Sequence, residues 1–178
     1  MPKYVAFLRA INVGGHLVKM DYLRTLFEAL SFDNVETFIA SGNVIFDSKA
    51  KNTQSLEKKI ESELKKALGY EVVTFVRAVS ELAAIAEHPA FSKSELNGNA
   101  LFIGFLANEP TAPAKTAVRA LCNKADEFRL NKREIYWLLR KKFSESEVSG
   151  PQLAKALGMP TTMRNVTTIR RLAAKYHK

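Results

Sequence analysis

The feature that most narrows the possible folds is an order of segments that occurs twice. Residues 3–8, KYVAFL, are a short apolar run rich in strand formers. Residues 20–30 place Met20, Leu23, Phe27 and Leu30 on one helical face, with Asp21 near the start, where a carboxylate suits the helix dipole. Residues 35–40 and 43–47 are strand-like and are separated by Ser41-Gly42, a hairpin signal. Thr53 then caps a predicted helix striped by Leu56, Ile60, Leu64 and Leu68, and Gly69 suits its C-terminal cap. Residues 71–76, EVVTFV, read as a further strand. The order is β-α-β-β-α-β.

The same order returns after a connection. Residues 80–87 predict a short helix ending before Pro89, and FSKSELNGN at 91–99 reads as a loop. Strand 100–106, helix 112–122, strands 126–130 and 134–139 around Asn131-Lys132, helix 149–157 with Pro151 early in it, and an extended piece at 160–163 follow. Val166, Ile169, Leu172, Ala173 and Tyr176 stripe a last helix. Tyr136 and Trp137, adjacent on a strand, point to opposite faces, so one is expected in the core and the other partly exposed. The expected class is α+β: two ferredoxin-like α/β plaits packed side by side. Their expected bounds are 1–78 and 100–178, joined by a connection over 79–99 and closed by the C-terminal helix.

That topology gives two loops a common address. In such a plait the strands lie in the order 4-1-3-2, and the first two run one way while the others run opposite. The loop after strand one, RAINVGGH, and the hairpin ASGN therefore leave the same end of the sheet. Glycine lets backbone amides approach a ligand closely, so Gly14, Gly15 and Gly42 suit an anion cradle. Arg9 adds a permanently charged planar fork, Asn12, Ser41 and Asn43 add neutral donors and acceptors, and Lys19 adds charge beside a helix start. A plainer reading stands beside this one: Gly14-Gly15 turns the chain into the helix, Ser41-Gly42 turns the hairpin, and Arg9 pairs with an acidic neighbour. The spacing matches neither G-x-G-x-x-G nor a P-loop.

Other chemistries find less support. The three histidines, His16, His88 and His177, have no metal-ligand spacing, and Cys122 has no CxxC partner, so no metal and no cofactor is expected. No G-x-S-x-G elbow occurs, no paired carboxylates stand out, and no catalytic residue is assigned. Cys122, within AVRALC, is expected as a small buried thiol that forms no internal disulfide, which fits a reducing, cytoplasmic setting. No apolar run is long enough to span a bilayer, so no membrane partner is expected.

The net charge of +9 is uneven. Residues 1–78 carry 11 basic and 9 acidic side chains, whereas 98–178 carry 15 and 6. A basic second half raises nucleic acid as an alternative partner, with Arg129, Lys132 and Arg133 flanking the second hairpin and Arg140, Lys141 and Lys142 following the next strand. Against it, ALFIGFL lacks the aromatic-and-basic pattern of an RNA-reading strand, and Phe102 and Phe105 read as core. A third class is an interaction or oligomeric protein acting through a sheet edge; the sequence leaves the oligomeric state open.

AFLRAINVGG, KMDYLRTLFEALSF and TFIASGNVIF closely resemble the domain-of-unknown-function family numbered 1697, and TTMRNVTTIRRLA resembles its closing motif. The resemblance implies paired α/β-plait subdomains and supplies no activity. Its family-like polar positions here are Arg9, Asn12, Gly14, Gly15, Ser41, Gly42, Asn43, Thr162, Arg164 and Asn165. Val166 stands where that family usually has Trp. If that aromatic stacks on a ligand, binding here is weakened; if it is core, little changes. The expected binding set is the loop residues together with Lys19, Arg164 and Asn165, the last two either extending the site or locking the subdomains together.

Overall fold

The computed structural model describes residues 1–11, 17–140 and 145–176, with backbone alone for Ala40 and Ser41. In chain order the first elements are β1 (Lys3–Leu8), α1 (Met20–Glu28), β2 (Asp33–Phe38), β3 (Ala40–Asp47), α2 (Thr53–Leu68), β4 (Thr74–Ala78) and α3 (Val79–Glu87). Then come α4 (Lys93–Leu96), β5 (Ala100–Phe105), α5 (Ala112–Arg119), β6 (Asp126–Asn131), β7 (Glu134–Leu139), α6 (Gly150–Leu157), β8 (Thr162–Asn165) and α7 (Val166–Tyr176). The strands form two antiparallel four-stranded sheets, ordered β2-β3-β1-β4 and β6-β7-β5-β8. The chain is thus a mixed α/β protein in which one strand order occurs twice. By compactness it divides into Met1–Ala83 with Arg171–Lys178, and Ala84–Arg170.

In the first unit, β1 is central and almost wholly buried, as its unbroken apolar run requires. Tyr4, Ala6, Leu8, Val44, Phe46 and Val76 share a core with Leu23 and Phe27 of α1 and Leu56, Ile60 and Leu64 of α2. Alternate residues Val5, Phe7, Ile45 and Phe75 are buried too, so β1, β3 and β4 are buried on both faces, whereas β2 keeps Asn34 and Glu36 exposed. The α1 stripe is shifted from expectation: Leu23, Leu26 and Phe27 are buried, whereas Met20 is exposed and Leu30 lies past the helix end. Asn52, not Thr53, caps α2 by accepting the Ser55 N–H at 3.1 Å. Gly69 ends that helix at φ 82°, a left-handed position that favours glycine.

The edge strand β4 is guarded by α2. Glu57 Oε2 accepts the Val76 N–H at 2.8 Å, and Glu61 Oε2 accepts the Thr74 N–H at 3.1 Å. Two glutamates that would pass for surface charges therefore occupy edge amides that could otherwise recruit another strand. Glu57 is itself buried, with the buried Arg77 guanidinium 3.9 Å away.

The second unit repeats the plan with different chemistry. Leu106, Val118, Phe128, Ile135, Trp137, Leu139, Leu153 and Leu157 form its core. Trp137 and Tyr136 are both buried, which corrects the expectation that one would be partly exposed. Each polar tip has a partner: Trp137 Nε1 donates to Asp126 Oδ1 at 2.9 Å, and Tyr136 OH donates to Ile85 O at 2.7 Å. Gly104 is fixed by crowding, since a Cβ there would lie 2.6 Å from Ile135 Cγ2 and 2.8 Å from Thr161 Oγ1. Ser149 and Gln152 close a capping box around Pro151. A second box, Ser92 with Glu95, builds α4 inside the stretch expected to be loop.

Candidate functional site

The candidate loops leave the first sheet at one end, and the register shows why. Phe7 of β1 pairs with Asn43 of β3, so the last residues of β1 lie beside the first residues of β3. Arg9 prolongs β1 by one backbone bond, its N–H donating to Val73 O at 2.9 Å. Ala10 then takes a left-handed conformation, φ 54°, and turns the chain out of the sheet. Ile11 returns to the core, and its carbonyl accepts the Tyr70 hydroxyl at 3.1 Å. The Arg9 side chain is exposed, and among the described residues no ion pair holds it. Pairing with an acidic neighbour, the plainer reading of this arginine, does not occur there.

The hairpin corrects the expected turn. Ser41 and Gly42 belong to β3, and the reversal falls at Ile39, whose φ is 65°, between the paired residues Phe38 and Ala40. A β-branched residue in that conformation is costly, and sequence rules assign such turns to glycine or asparagine. Asn43 steadies the bend: its buried side chain donates to Phe38 O at 3.1 Å. The start of α1 lies alongside, with Thr37 Oγ1 3.5 Å from Met20 Sδ. Lys19, the N-cap residue of α1, is exposed and makes no capping bond through its side chain.

The described residues therefore bring together Arg9, Lys19, Gly42 and Asn43 at one sheet end. Asn12, Gly14 and Gly15, with His16, lie outside the described residues, and Ser41 is placed by its backbone alone. These polar groups keep apolar company that the residue pattern does not announce. Leu17 is 82% exposed and Ile39 53%, with Met20 and Tyr22 also exposed. An apolar residue inside a polar loop or a hairpin turn is the signal that would have marked them.

Arg164 and Asn165 belong to the second unit, on β8. Arg164 Nη1 donates to Thr162 Oγ1 at 2.8 Å and to Met163 O at 2.9 Å, and burial lowers its pKa to about 10. Asn165 Oδ1 accepts the Thr167 N–H at 2.9 Å and so starts α7. Val166 is buried, which makes that position a core one. Cys122 is half-buried and takes the Phe128 N–H at 3.3 Å.

Two of the cations attached to the nucleic-acid alternative, Arg129 and Arg140, are engaged. Arg129 pairs with Glu95 and Glu127 and stacks on Phe91, and Arg140 pairs with Glu127. Lys141 and Lys142 lie outside the described residues. Phe105 is fully buried and Phe102 half-buried against Trp137, so the central strand of the second sheet offers little aromatic surface for stacking bases. Among the described residues no group of three His, Cys, Asp or Glu side chains is arranged to hold a metal ion, and no helix is long and apolar enough to cross a membrane.

Comparison with known proteins agrees with this architecture. The family model described as "Protein of unknown function (DUF1697)" matches residues 1–136. No curated protein matches the chain. The solved structure of a conserved bacterial protein, SP0830 from Streptococcus pneumoniae, superposes with a TM-score of 0.76 at 22% identity. It covers 100% of this chain and 99% of its own. At that identity the likeness speaks for the fold.

Proposed function

The chain belongs to the DUF1697 family of proteins of unknown function, and from that premise we propose that its first unit binds an anionic or phosphorylated small ligand at the end of the sheet carrying Arg9. The supporting observation is Arg9 itself. It sits at the end of a buried strand, beside a left-handed alanine, with its guanidinium exposed and in no ion pair among the described residues. A guanidinium so placed offers a fork for phosphate or carboxylate at little cost in desolvation. Lys19 and Asn43 stand at the same end, and Asn12, Gly14, Gly15 and Ser41 join them by sequence. The exposed Leu17 and Ile39 suit a ligand whose anionic group is attached to an apolar or planar body.

Each sheet order, read as strands 4-1-3-2 of its unit, supports a ferredoxin-like plait repeated twice. A cytosolic setting belongs to the same reading, supported by a lone cysteine held in a hydrogen bond rather than a disulfide. Arg164 and Asn165 act structurally in this account, because Arg164 Nη1 is bonded within β8 and Asn165 Oδ1 takes the first turn of α7.

A thermal-shift screen against inorganic phosphate, pyrophosphate, nucleotides, sugar phosphates and short RNA tests the reading. A ligand at about 100 times its Kd adds about 2.7 kcal/mol of stability. Arg9→Ala should abolish that gain while leaving the unliganded Tm nearly unchanged, since Arg9 is exposed. An Arg9→Ala protein that is itself strongly destabilised would make Arg9 structural and end the proposal.

A further inference from the structure

The second unit leaves one position of a sheet edge, at Leu130, open beside a pair of cations. A cleft of about 300 Å³ is lined by Lys115, Val118 and Arg119 of α5 and by Phe128, Arg129 and Leu130 of β6. Phe128 and Leu130 send their side chains to the helix-covered face, whereas Arg129 reaches Glu95 and Glu127 on the other. A cleft that meets all three residues runs along the outer edge of the strand, and β6 is the edge strand of its sheet.

The edge chemistry follows from alternation. The Phe128 N–H donates to Cys122 Sγ, and the Asp126 carbonyl accepts the Asn123 N–H, so the amides and carbonyls of Asp126 and Phe128 point away from β7. Two residues on, the N–H and C=O of Leu130 point outward in the same way. Cys122 covers the position at Phe128; nothing equivalent covers Leu130 among the described residues. The contrast with the first unit is direct, because there Glu57 and Glu61 occupy the outward amides of β4.

Charge supplies the second half of the argument. Lys115 and Arg119 are exposed, make no ion pair among the described residues, and lie one turn apart on α5. Four residues of helix advance about 6 Å. Alternate side chains of an extended chain are spaced about 6.7 Å apart. Two acidic residues at i and i+2 of an extended segment therefore match the two cations, while the segment's backbone meets Leu130.

We propose that this cleft docks an extended acidic segment of a partner protein, which pairs with Leu130 at the β6 edge and sets alternate carboxylates against Lys115 and Arg119. Main-chain pairing supplies affinity and the charge spacing supplies selectivity, as in other cases of strand addition. The surface lies in the second unit, so its fate is separate from that of the Arg9 site.

The test uses the full chain and an acetylated, amidated Val-Glu-Val-Glu-Val peptide. Titration should shift the Leu130 amide resonance and slow its hydrogen exchange. The glutamine counterpart should bind at least tenfold more weakly. The double variant Lys115→Ala, Arg119→Ala should lose at least tenfold in affinity, and Lys115→Arg with Arg119→Lys should recover most of it. Absence of peptide binding, unchanged exchange at Leu130, or equal binding by the double alanine variant would each overturn the proposal. So would a short RNA that protects Leu130 in place of the peptide.

Discussion

Ala10 and Glu57 show how single residues carry the account. Ala10 holds φ 54°, a region costing a non-glycine residue roughly 1 kcal/mol, at the point where the chain leaves β1 for the candidate site. Replacing Ala by Gly inside a helix or strand ordinarily costs about 0.5–1 kcal/mol. Here Ala10→Gly should leave stability unchanged or raise it by up to about 1 kcal/mol in urea denaturation; a normal loss would mean that the strain is absent. Glu57 is the opposite case, buried and committed to the Val76 amide with Arg77 nearby. Glu57→Ala should cost about 3 kcal/mol or more, because a buried guanidinium loses a counter-charge and a buried N–H its acceptor. A loss below 1 kcal/mol would show the pair to be dispensable. Neither residue could be singled out from sequence. A left-handed alanine has no compositional mark, and Glu57 lies in a charged helix whose register against β4 depends on packing between distant segments.

Elements were more readable, and their failures have local causes. Periodicity located the helices and strands because each buries one face or both, as the stripe Leu56, Ile60 and Leu64 illustrates. The hairpin turns two residues before the expected place, because Ser41-Gly42 imitates a turn while Ile39 makes it. The small helix α4 lies where a loop is expected, although Ser92 and Glu95 spell its capping box. Within the second unit, Asp126 ties the start of β6 to the segment before α6. Burial pushes its carboxyl upward, but hydrogen bonds from Ser146, the Glu147 N–H, Trp137 and Asn123 outweigh that and hold it below the usual value. An unfolded aspartate titrates near about 3.9. The native state thus keeps the charged form to lower pH, and the stabilisation is complete above the unfolded value and lost as pH falls through the folded one. Denaturation followed from pH 7 to pH 2 should show this acid limb, and Asp126→Asn should lower stability at pH 7 and flatten the limb. An unchanged limb would remove Asp126 from the explanation. Gly104→Ala should cost about 1–3 kcal/mol, since Ile135 and Met163 would have to move.

At the scale of the whole molecule, one strand order is used twice with different edges and charge. In the first unit the β4 edge is closed by carboxylates, and the sheet end presents Arg9 and Lys19 while buried Asn43 braces the hairpin there. In the second, Arg129 and Arg140 are tied up in pairs with Glu95 and Glu127, and the β6 edge is open at Leu130, beside Lys115 and Arg119. The repeat could be read from the order of segments, and so could the meeting of the first loop with the hairpin. Which charges are paired could not, because pairing depends on partners far apart in the chain, such as Arg129 and Glu95. The central claim, an anion site at the Arg9 end of the first sheet, is tested most directly by an NMR titration of the ¹⁵N-labelled chain with pyrophosphate. The account predicts saturable shifts at Arg9, Lys19, Gly42 and Asn43, abolished by Arg9→Ala. Shifts confined to Lys115, Arg119 and the second hairpin, or shifts that survive Arg9→Ala, would contradict it.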